Sequence, residues 1–164
     1  MGLTPGVATS PLERLRQLGY ELPAAPTPIA NYLPAVRHGD LVYVSGHGSV
    51  RADGQGFIGR VGAEYSLEQG QQAARLAVLN CLAALHSVVS LDSVQRILKL
   101  TGYVHSEEGF NRQPEVLNGA SDLLVEVFGQ AGRHARTAIG LRQTARSYTV
   151  QLEMIAVIDP AAVA

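Results

Sequence analysis

The sequence predicts one domain of the α+β class, with the element order βββαβαββ behind a short initial helix. Three observations lead to this prediction. The chain has 164 residues, and single domains usually contain roughly 100–200. Two long segments carry apolar residues at helical spacing. Six shorter segments are either apolar throughout or alternate between polar and apolar residues, as strands do.

The front of the chain, residues 1–29, is expected to lie outside the domain proper. Residues 1–9 are rich in Gly, Pro and Thr and predict a disordered leader. The prolines within residues 22–28 fix φ and hold the chain extended, so this segment reads as a linker. The α+β domain itself is then expected over residues 30–160.

Capping signals mark the starts of the helices. Ser10 is followed three residues later by Glu13, and Ser66 is followed at the same spacing by Gln69. In this pattern, the capping box, each side chain satisfies a backbone N–H of the first turn. The third helix has Pro114 in its first turn, which fits the missing N–H of proline. The predicted helices span residues 10–19, 67–89 and 114–129.

The strands predict an oligomer. They are expected over residues 31–37, 41–45, 57–61, 94–105, 137–142 and 148–158. Segments 41–45 and 97–104 carry apolar residues on both faces. Two long helices cover only one face of a six-stranded sheet, so the other face must meet something apolar. A second copy of the chain is the simplest candidate.

Composition excludes several classes of protein. Lys plus Arg total 13 and Asp plus Glu 14, for a net charge of −1, so the broad basic field of a nucleic-acid binder is absent. The single cysteine, Cys81, cannot form an internal disulfide. No apolar run approaches the ~20 residues of a membrane span, and the amino terminus does not resemble a secretory signal. We expect a cytoplasmic protein without membrane or nucleic-acid partners.

A glycine-rich segment matches a nucleotide-binding motif, but the residues around it do not fit that motif. Residues 54–59 match G-x-G-x-x-G, but that fingerprint needs a helix starting at the glycines. Here the next helix starts near Ser66, so a hairpin loop is predicted instead.

Metal and nucleophile motifs are equally weak, and no metal or cofactor is predicted. The five histidines show no zinc-type spacing. His105 with Glu107 and Glu108 suggests either an ion site or a solvated loop, and the loop is favoured. Cys81 lies among apolar neighbours and reads as a small core residue.

The carboxy-terminal third carries a specific resemblance. The chain resembles the Rid (RidA/YjgF) family over about residues 30–158, nearest to a branch with a longer front end. The segments that carry the resemblance are 116–124 (VLNGASDLL), 132–140 (GRHARTAIG), 150–153 (VQLE), Tyr32 and 41–46 (LVYVSG). The resemblance implies a chorismate-mutase-like fold and a homotrimer with its site between subunits. It also implies hydrolysis of reactive enamines and imines to keto acids and ammonia without a metal or cofactor. Other members have been described as endoribonucleases or translation inhibitors.

The resemblance also assigns site residues. Arg136 matches the arginine that binds the substrate carboxylate, and the backbone of Ala138 matches the position that contacts the reacting nitrogen or water. Tyr32 matches a tyrosine that packs over the ligand, and Ser45 matches a serine of the pocket wall. Asn118 is selected on other grounds: it lies within a predicted helix, where asparagine is a poor helix former, and this indicates a specific polar contact. The alternatives are a surface arginine, an ordinary strand tyrosine, a serine bonded to backbone and a satisfied surface amide.

Departures from the family pattern bear on activity. Gln151 stands where active deaminases carry a glutamate, and a neutral amide orients water without accepting a proton. Glu153 lies on the same strand face as a possible substitute or as a structural residue. Arg142 and Arg146 add two cations to a turn, either for a more acidic ligand or as a solvated face. His47 stands where a glutamine is frequent.

Three functions follow as hypotheses. The first is an enamine/imine deaminase for small carboxylate-bearing substrates, in which Arg136, Ala138 and a water near Gln151 act together. The second is a non-catalytic sensor that binds a keto or carboxylic acid in the same pocket. The third, an endoribonuclease, is disfavoured by the near-neutral charge.

Overall fold

The structure, a computed structural model, describes residues 9–162, so the predicted leader lies outside the described residues except for Thr9. The helices and strands are α1 (Pro11–Gln17), β1 (Ala35–His38), β2 (Leu41–Gly48), α2 (Leu67–His86), β3 (Val94–His105), α3 (Gln113–Phe128), β4 (Ala135–Leu141) and β5 (Val150–Ile158). Short 3-10 turns occupy Leu91–Ser93, Gly129–Gly132 and Ala145–Ser147.

The strands form one sheet in the order β1-β2-β5-β3-β4. Neighbouring strands are antiparallel except β3 and β4, which are parallel. The two long helices pack beside each other, with α2 against β2 and β5 and α3 against β4 and β3. The α+β class is therefore confirmed, and β1 and β4 are the edges of the sheet.

The strand expected over residues 57–61 does not form, so the sheet has five strands and not six. Ile58 makes only an isolated bridge to Tyr148. Gly59 and Gly62 adopt φ values of 141° and 94°, outside the range of an extended strand, and the chain turns away before a ladder can grow. The apolar pattern that predicted a strand carries no information about the φ values of these glycines.

The longest helix begins as the capping box predicts. Ser66 Oγ accepts from the Gln69 N–H at 3.2 Å, and Gln69 Oε1 accepts from the Ser66 N–H at 2.9 Å. The helix ends at His86, before the predicted boundary. There the Ser87 hydroxyl donates to the Ala84 carbonyl at 2.7 Å, and the two valines that follow are poor helix formers.

The core lies between the helices and the sheet, and small residues let the helices approach closely. Ala73 of α2 is fully buried. A Cβ on Gly119 of α3 would lie 2.2 Å from the backbone oxygen of Gln71, so only glycine fits at this contact. Cys81 is fully buried and burial raises the pKa of its thiol, which confirms it as a core residue.

The face of the sheet opposite the helices is exposed in the single chain. Tyr43 is 49% exposed and Ile139 is 37% exposed. β3 contributes Lys99, Thr101 and Tyr103 to this face, as their alternation with buried residues shows. β3 is therefore more polar on this face than the sequence predicted.

The glycine-rich segment forms a hairpin-like turn, as expected. The Arg51 N–H donates to the Gln55 carbonyl at 2.7 Å, and Val50 bridges to Gly56. The following helix starts only at Leu67, so it does not begin at these glycines as the nucleotide-binding fingerprint requires.

Candidate functional site

Arg136 lies on the edge strand β4, and its side chain turns toward α3. The register of β4 with β3 pairs Arg136 with the buried Leu100. Nη1 of Arg136 donates to Asn118 Oδ1 and to Ser121 Oγ, each at 3.0 Å. The helix therefore holds one end of the guanidinium in place.

Ser121 connects Arg136 to a histidine that the sequence analysis missed. Ser121 Oγ lies 3.0 Å from Nε2 of His134, and His134 Nδ1 lies 2.7 Å from the carbonyl oxygen of Gly132. Because a carbonyl only accepts, Nδ1 carries the proton of the neutral ring and Nε2 accepts from the Ser121 hydroxyl. The Ser121 oxygen is then free to accept from Arg136. These three hydrogen bonds thus form a chain in which Arg136 donates to Ser121, Ser121 donates to His134, and His134 donates to the Gly132 carbonyl.

The charge state of His134 agrees with this arrangement. Burial lowers the pKa of His134, and the neighbouring Arg136 charge lowers it further, against the opposing hydrogen bond to Gly132. The ring is therefore neutral at pH 7. A signal for this network was present in the sequence, because Asn118 and Ser121 are three residues apart on one helix face.

The other edge of the Arg136 guanidinium has no partner in the described part of the chain. Within residues 9–162, Nε and Nη2 make no hydrogen bond or ion pair. Their N–H groups point along the same edge, which is the fork that binds a carboxylate through two parallel bonds. Arg136 is partly buried, so this edge has the chemistry of a carboxylate anchor.

A second group of predicted residues lines a cavity of about 510 Å³. Tyr32 and Gln151 both face this cavity, and the proline-rich linker forms one wall with Pro23 and Pro26. The Gln151 side chain lies against Gly46, where a Cβ would come within 2.8 Å of Nε2. Sequence reasoning did not place the linker at this site.

Arg136 and Gln151 do not meet within one chain. β3 pairs with β5 so that Leu100 lies opposite Met154 and Tyr103 lies opposite Gln151. Paired residues share a face of the sheet, and successive residues alternate between faces. Arg136 therefore lies on the helix-covered face with Leu100, whereas Gln151 lies on the open face. Arg136 is also absent from the lining of the Gln151 cavity.

Two other predicted residues are placed by the strands. The Ser45 hydroxyl donates to the Leu33 carbonyl at 2.7 Å, which is the backbone-bonded alternative for this serine, and Ser45 does not line the cavity. Ala138 pairs with Gly102, two positions along from Arg136, so both residues share a face of the edge strand.

Comparison with known proteins identifies the family. A family model described as "YjgF/chorismate_mutase-like, putative endoribonuclease" matches residues 12–144. The chain belongs to this family. The match to the YjgF family begins inside α1, so it includes the initial helix and linker that the sequence resemblance left outside.

Individual relatives of this YjgF-family chain cover nearly its whole length. Protein TCP17 of Trypanosoma cruzi is 38% identical over 143 residues, covering 86% of this chain and 89% of the relative. The structure of Atu1372 from Agrobacterium tumefaciens is 35% identical, with a TM-score of 0.83 and coverage of 91% and 93% of the two chains. A Shewanella oneidensis structure described as a "putative endoribonuclease" is 32% identical, with a TM-score of 0.86 and coverage of 91% and 99%. Together with the observed sheet, these matches confirm a YjgF/chorismate-mutase-like fold.

The departures from the family pattern lie in three places on this YjgF-family chain. Glu153 accepts from the Tyr103 hydroxyl at 3.3 Å on the open face and does not line the Gln151 cavity. His47 and Arg146 do line that cavity. Arg142 lines a different cavity.

The described part of the YjgF-family chain contains no group of three or more His, Cys, Asp or Glu arranged to hold a metal ion. His105 is buried and its Nδ1 faces the Ser147 carbonyl at 3.4 Å, whereas Glu107 and Glu108 are exposed. The solvated loop expected here therefore holds only for the two glutamates, because His105 is the last residue of β3 and is buried. Among residues 9–162, no helix has the length and apolarity needed to span a bilayer.

Proposed function

We propose that this protein hydrolyses reactive enamines and 2-imino acids to 2-keto acids and ammonia, in a pocket between copies of the chain. The observation that carries the proposal is the free Nε/Nη2 edge of Arg136, whose other end is held by Asn118 and Ser121. A 2-imino acid carries a carboxylate, and that edge binds a carboxylate through two charge-assisted hydrogen bonds.

Assembly with other copies brings Arg136 and Gln151 together, which one chain alone does not do. We infer that the edge strand carrying Arg136 lies beside the Gln151 cavity of a neighbouring copy. The exposed side chains of Tyr43 and Ile139 support assembly, because covering them with another copy removes apolar surface from water. A contact between two different surfaces is head-to-tail, and closed rings satisfy such contacts in every copy. A homotrimer with one pocket at each subunit boundary is the proposed form.

In the proposed reaction, a water oxygen attacks C2 of the protonated imine. A proton then passes from the added oxygen to nitrogen, and the C2–N bond breaks as the C=O bond forms. The departing ammonia takes the second proton of that oxygen and leaves as ammonium, so the keto acid forms without a protein base. Gln151 orients the attacking water through its amide but takes no proton. Tyr32 packs over the planar C=N group, and the backbone of Ala138 contacts its nitrogen. Orientation and neutralisation of the carboxylate by Arg136 provide the acceleration.

Turnover of an imine tests the proposal. An amino-acid oxidase generates 2-iminobutyrate from 2-aminobutyrate in situ, and the loss of the imine is followed with and without the protein. We expect faster loss with the wild type and no acceleration with Arg136→Ala. The matched control is Arg142→Ala, which removes an exposed arginine from a different cavity and should retain the wild-type rate. Equal rates with and without the wild-type protein would contradict a deaminase.

One observation favours a second function, a sensor for keto or carboxylic acids. The cavity presents the neutral amide of Gln151, and no Asp or Glu is among its lining residues, so it has no carboxylate to accept a proton from water. Binding of 2-ketobutyrate measured by calorimetry, with no turnover of 2-iminobutyrate, would select this function. Binding accompanied by turnover would select the deaminase.

A further inference from the structure

We propose that the Gln151 cavity takes a substrate with two carboxylates, a 2-imino dicarboxylic acid, and that Arg51 and Arg146 bind the second carboxylate. This inference rests on the proposed function, because the first carboxylate is the one assigned to Arg136. Arg51 and Arg146 both line the cavity with Gln151 and Tyr32. Its lining includes no Asp or Glu, so these two cations face the cavity without a counter-charge from its walls.

Neither guanidinium is engaged elsewhere in the described chain. Within residues 9–162, the side chains of Arg51 and Arg146 make no ion pair and no hydrogen bond. Other arginines are engaged: Arg60 pairs with Glu64 at 2.8 Å, and Arg37 donates to backbone carbonyls. The fork of each cavity arginine is therefore available to an anion.

The backbone holds Arg146 in a defined position. Arg146 and the next residue, Ser147, have φ values of 53° and 55°, a left-handed conformation that costs free energy for residues other than glycine. The turn is fixed by bonds from the Ser147 N–H to Thr144 at 3.1 Å and from the Gly59 N–H to Ser147 at 2.9 Å. Uncommon backbone of this kind persists where surrounding structure enforces it, and it concentrates at ligand sites.

The loop carrying Arg51 is braced as well. Nδ2 of Asn80, on α2, donates to the Val50 carbonyl at 2.8 Å and to the Gly48 carbonyl at 2.9 Å. The Arg51 N–H donates to the Gln55 carbonyl at 2.7 Å. The backbone supports of both arginines thus exist before a ligand arrives, which reduces the ordering cost of binding.

The third basic side chain of the cavity, His47, adds no positive charge to it. His47 is buried, and its Nε2 lies 3.3 Å from the Pro34 carbonyl oxygen. Burial lowers the pKa of His47 against the opposing effect of that hydrogen bond, so the ring is neutral at pH 7. The positive charge of the cavity therefore comes from Arg51 and Arg146.

The cavity size suits a small dicarboxylic acid. Its volume of about 510 Å³ lies within the roughly 300–1,000 Å³ range of ligand pockets. The linker residues Pro23, Pro26 and Ile29 are among the residues that line it.

Substrate preference tests the inference. The assay compares kcat/KM for 2-iminoglutarate with kcat/KM for 2-iminobutyrate, each generated in situ by an amino-acid oxidase. A charge-assisted bond to the second carboxylate is expected to favour 2-iminoglutarate by about tenfold or more in the wild type. Arg146→Gln and Arg51→Gln, which keep a polar side chain and remove the charge, should each reduce this preference. Arg142→Gln is the matched control and should retain it.

A binding measurement keeps the inference separate from catalysis. Calorimetry with the stable acids 2-ketoglutarate and 2-ketobutyrate needs no turnover. We expect tighter binding of 2-ketoglutarate in the wild type and loss of that preference in Arg146→Gln. If neither imine is hydrolysed but this binding preference is found, the deaminase proposal fails and the dicarboxylate site stands. Equal affinities for the two keto acids, or equal losses for both in Arg146→Gln, would overturn the dicarboxylate site.

Discussion

Arg136 and Gln151 lie on opposite faces of one sheet, on strands separated only by β3. The Arg136 guanidinium is held against α3, whereas Gln151 lines a cavity bounded in part by the proline-rich linker. Two groups placed this way act on one small molecule only if they come from different copies. The functional proposal and the proposed assembly therefore depend on each other.

The fork of Arg136 matters more than its charge. Arg136→Lys keeps the cation but loses the two parallel donors and the bonds from Nη1 to Asn118 and Ser121. We expect the affinity for 2-ketobutyrate to fall by about tenfold to a hundredfold, the range for losing charge-assisted hydrogen bonds. Calorimetry measures this change, with Arg142→Lys as the control for the same substitution elsewhere. Unchanged affinity in Arg136→Lys would show that the fork binds no carboxylate.

Ser121 is expected to act as a positioning residue. Ser121→Ala removes an acceptor for Arg136 Nη1 and the donor to His134 Nε2. The guanidinium should then sample more orientations, so KM for 2-iminobutyrate rises severalfold while kcat changes less. Steady-state kinetics separate the two constants. Ser121→Thr, which restores the hydroxyl, should recover a low KM, and equal KM values for Ser121→Ala and the wild type would rule out the positioning role.

Gln151 is expected to limit the chemical step. Gln151→Glu places a carboxylate beside the attacking water, and a carboxylate accepts the proton that an amide cannot. General-base assistance typically contributes about 10²–10⁴-fold, so we expect kcat for 2-iminobutyrate to rise at least tenfold in this variant. Gln143→Glu adds the same charge at an exposed position and should leave kcat unchanged. A kcat in Gln151→Glu at or below that of the wild type would contradict this account of the water.

Acid should destabilise the fold through two histidines. Burial lowers the pKa values of His47 and His134 below the ordinary 6.5, so between the folded and unfolded pKa values the unfolded chain binds more protons. The free energy of unfolding is therefore fully present above about pH 6.5 and falls as the pH drops toward the folded pKa values.

Thermal denaturation from pH 7.5 to pH 5 measures this effect. The fall in Tm should be smaller in His134→Gln, which cannot titrate. His86→Gln, at an exposed position, should follow the wild type. If the Tm of His134→Gln falls as much as the Tm of the wild type over this range, the lowered pKa of His134 in the folded protein is contradicted.

Local signals in the sequence predicted much of the fold, and long-range relationships escaped it. The Ser66–Gln69 capping box marks the start of α2 because every group it needs lies within four residues. The strand predicted over residues 57–61 was wrong. Its apolar residues fit a strand pattern, but Gly59 and Gly62 take left-handed φ values that end extended structure. Hydrophobic pattern does not report that conformation.

In the candidate site, too, the sequence predicted some residues and missed those that depend on long-range packing. Sequence reasoning selected Arg136 and Asn118, which form a hydrogen bond in the structure. It did not select His134, because the contact through Ser121 depends on how β4 packs against α3. It also did not reveal that Gln151 shares its cavity with Arg51, since the loop after β2 and the strand β5 are far apart in the chain.

Subunit complementation tests the central claim most directly. Arg136→Ala and Gln151→Leu each remove one half of the proposed pocket, and each variant alone should fail to accelerate loss of 2-iminobutyrate. When both are co-expressed with different tags and mixed trimers are purified, about one in three pockets of each mixed ring pairs an intact Arg136 with an intact Gln151. The account predicts that activity returns in the mixed oligomers at about that fraction of the wild-type rate. Mixed oligomers as inactive as the single variants would contradict a pocket shared between copies.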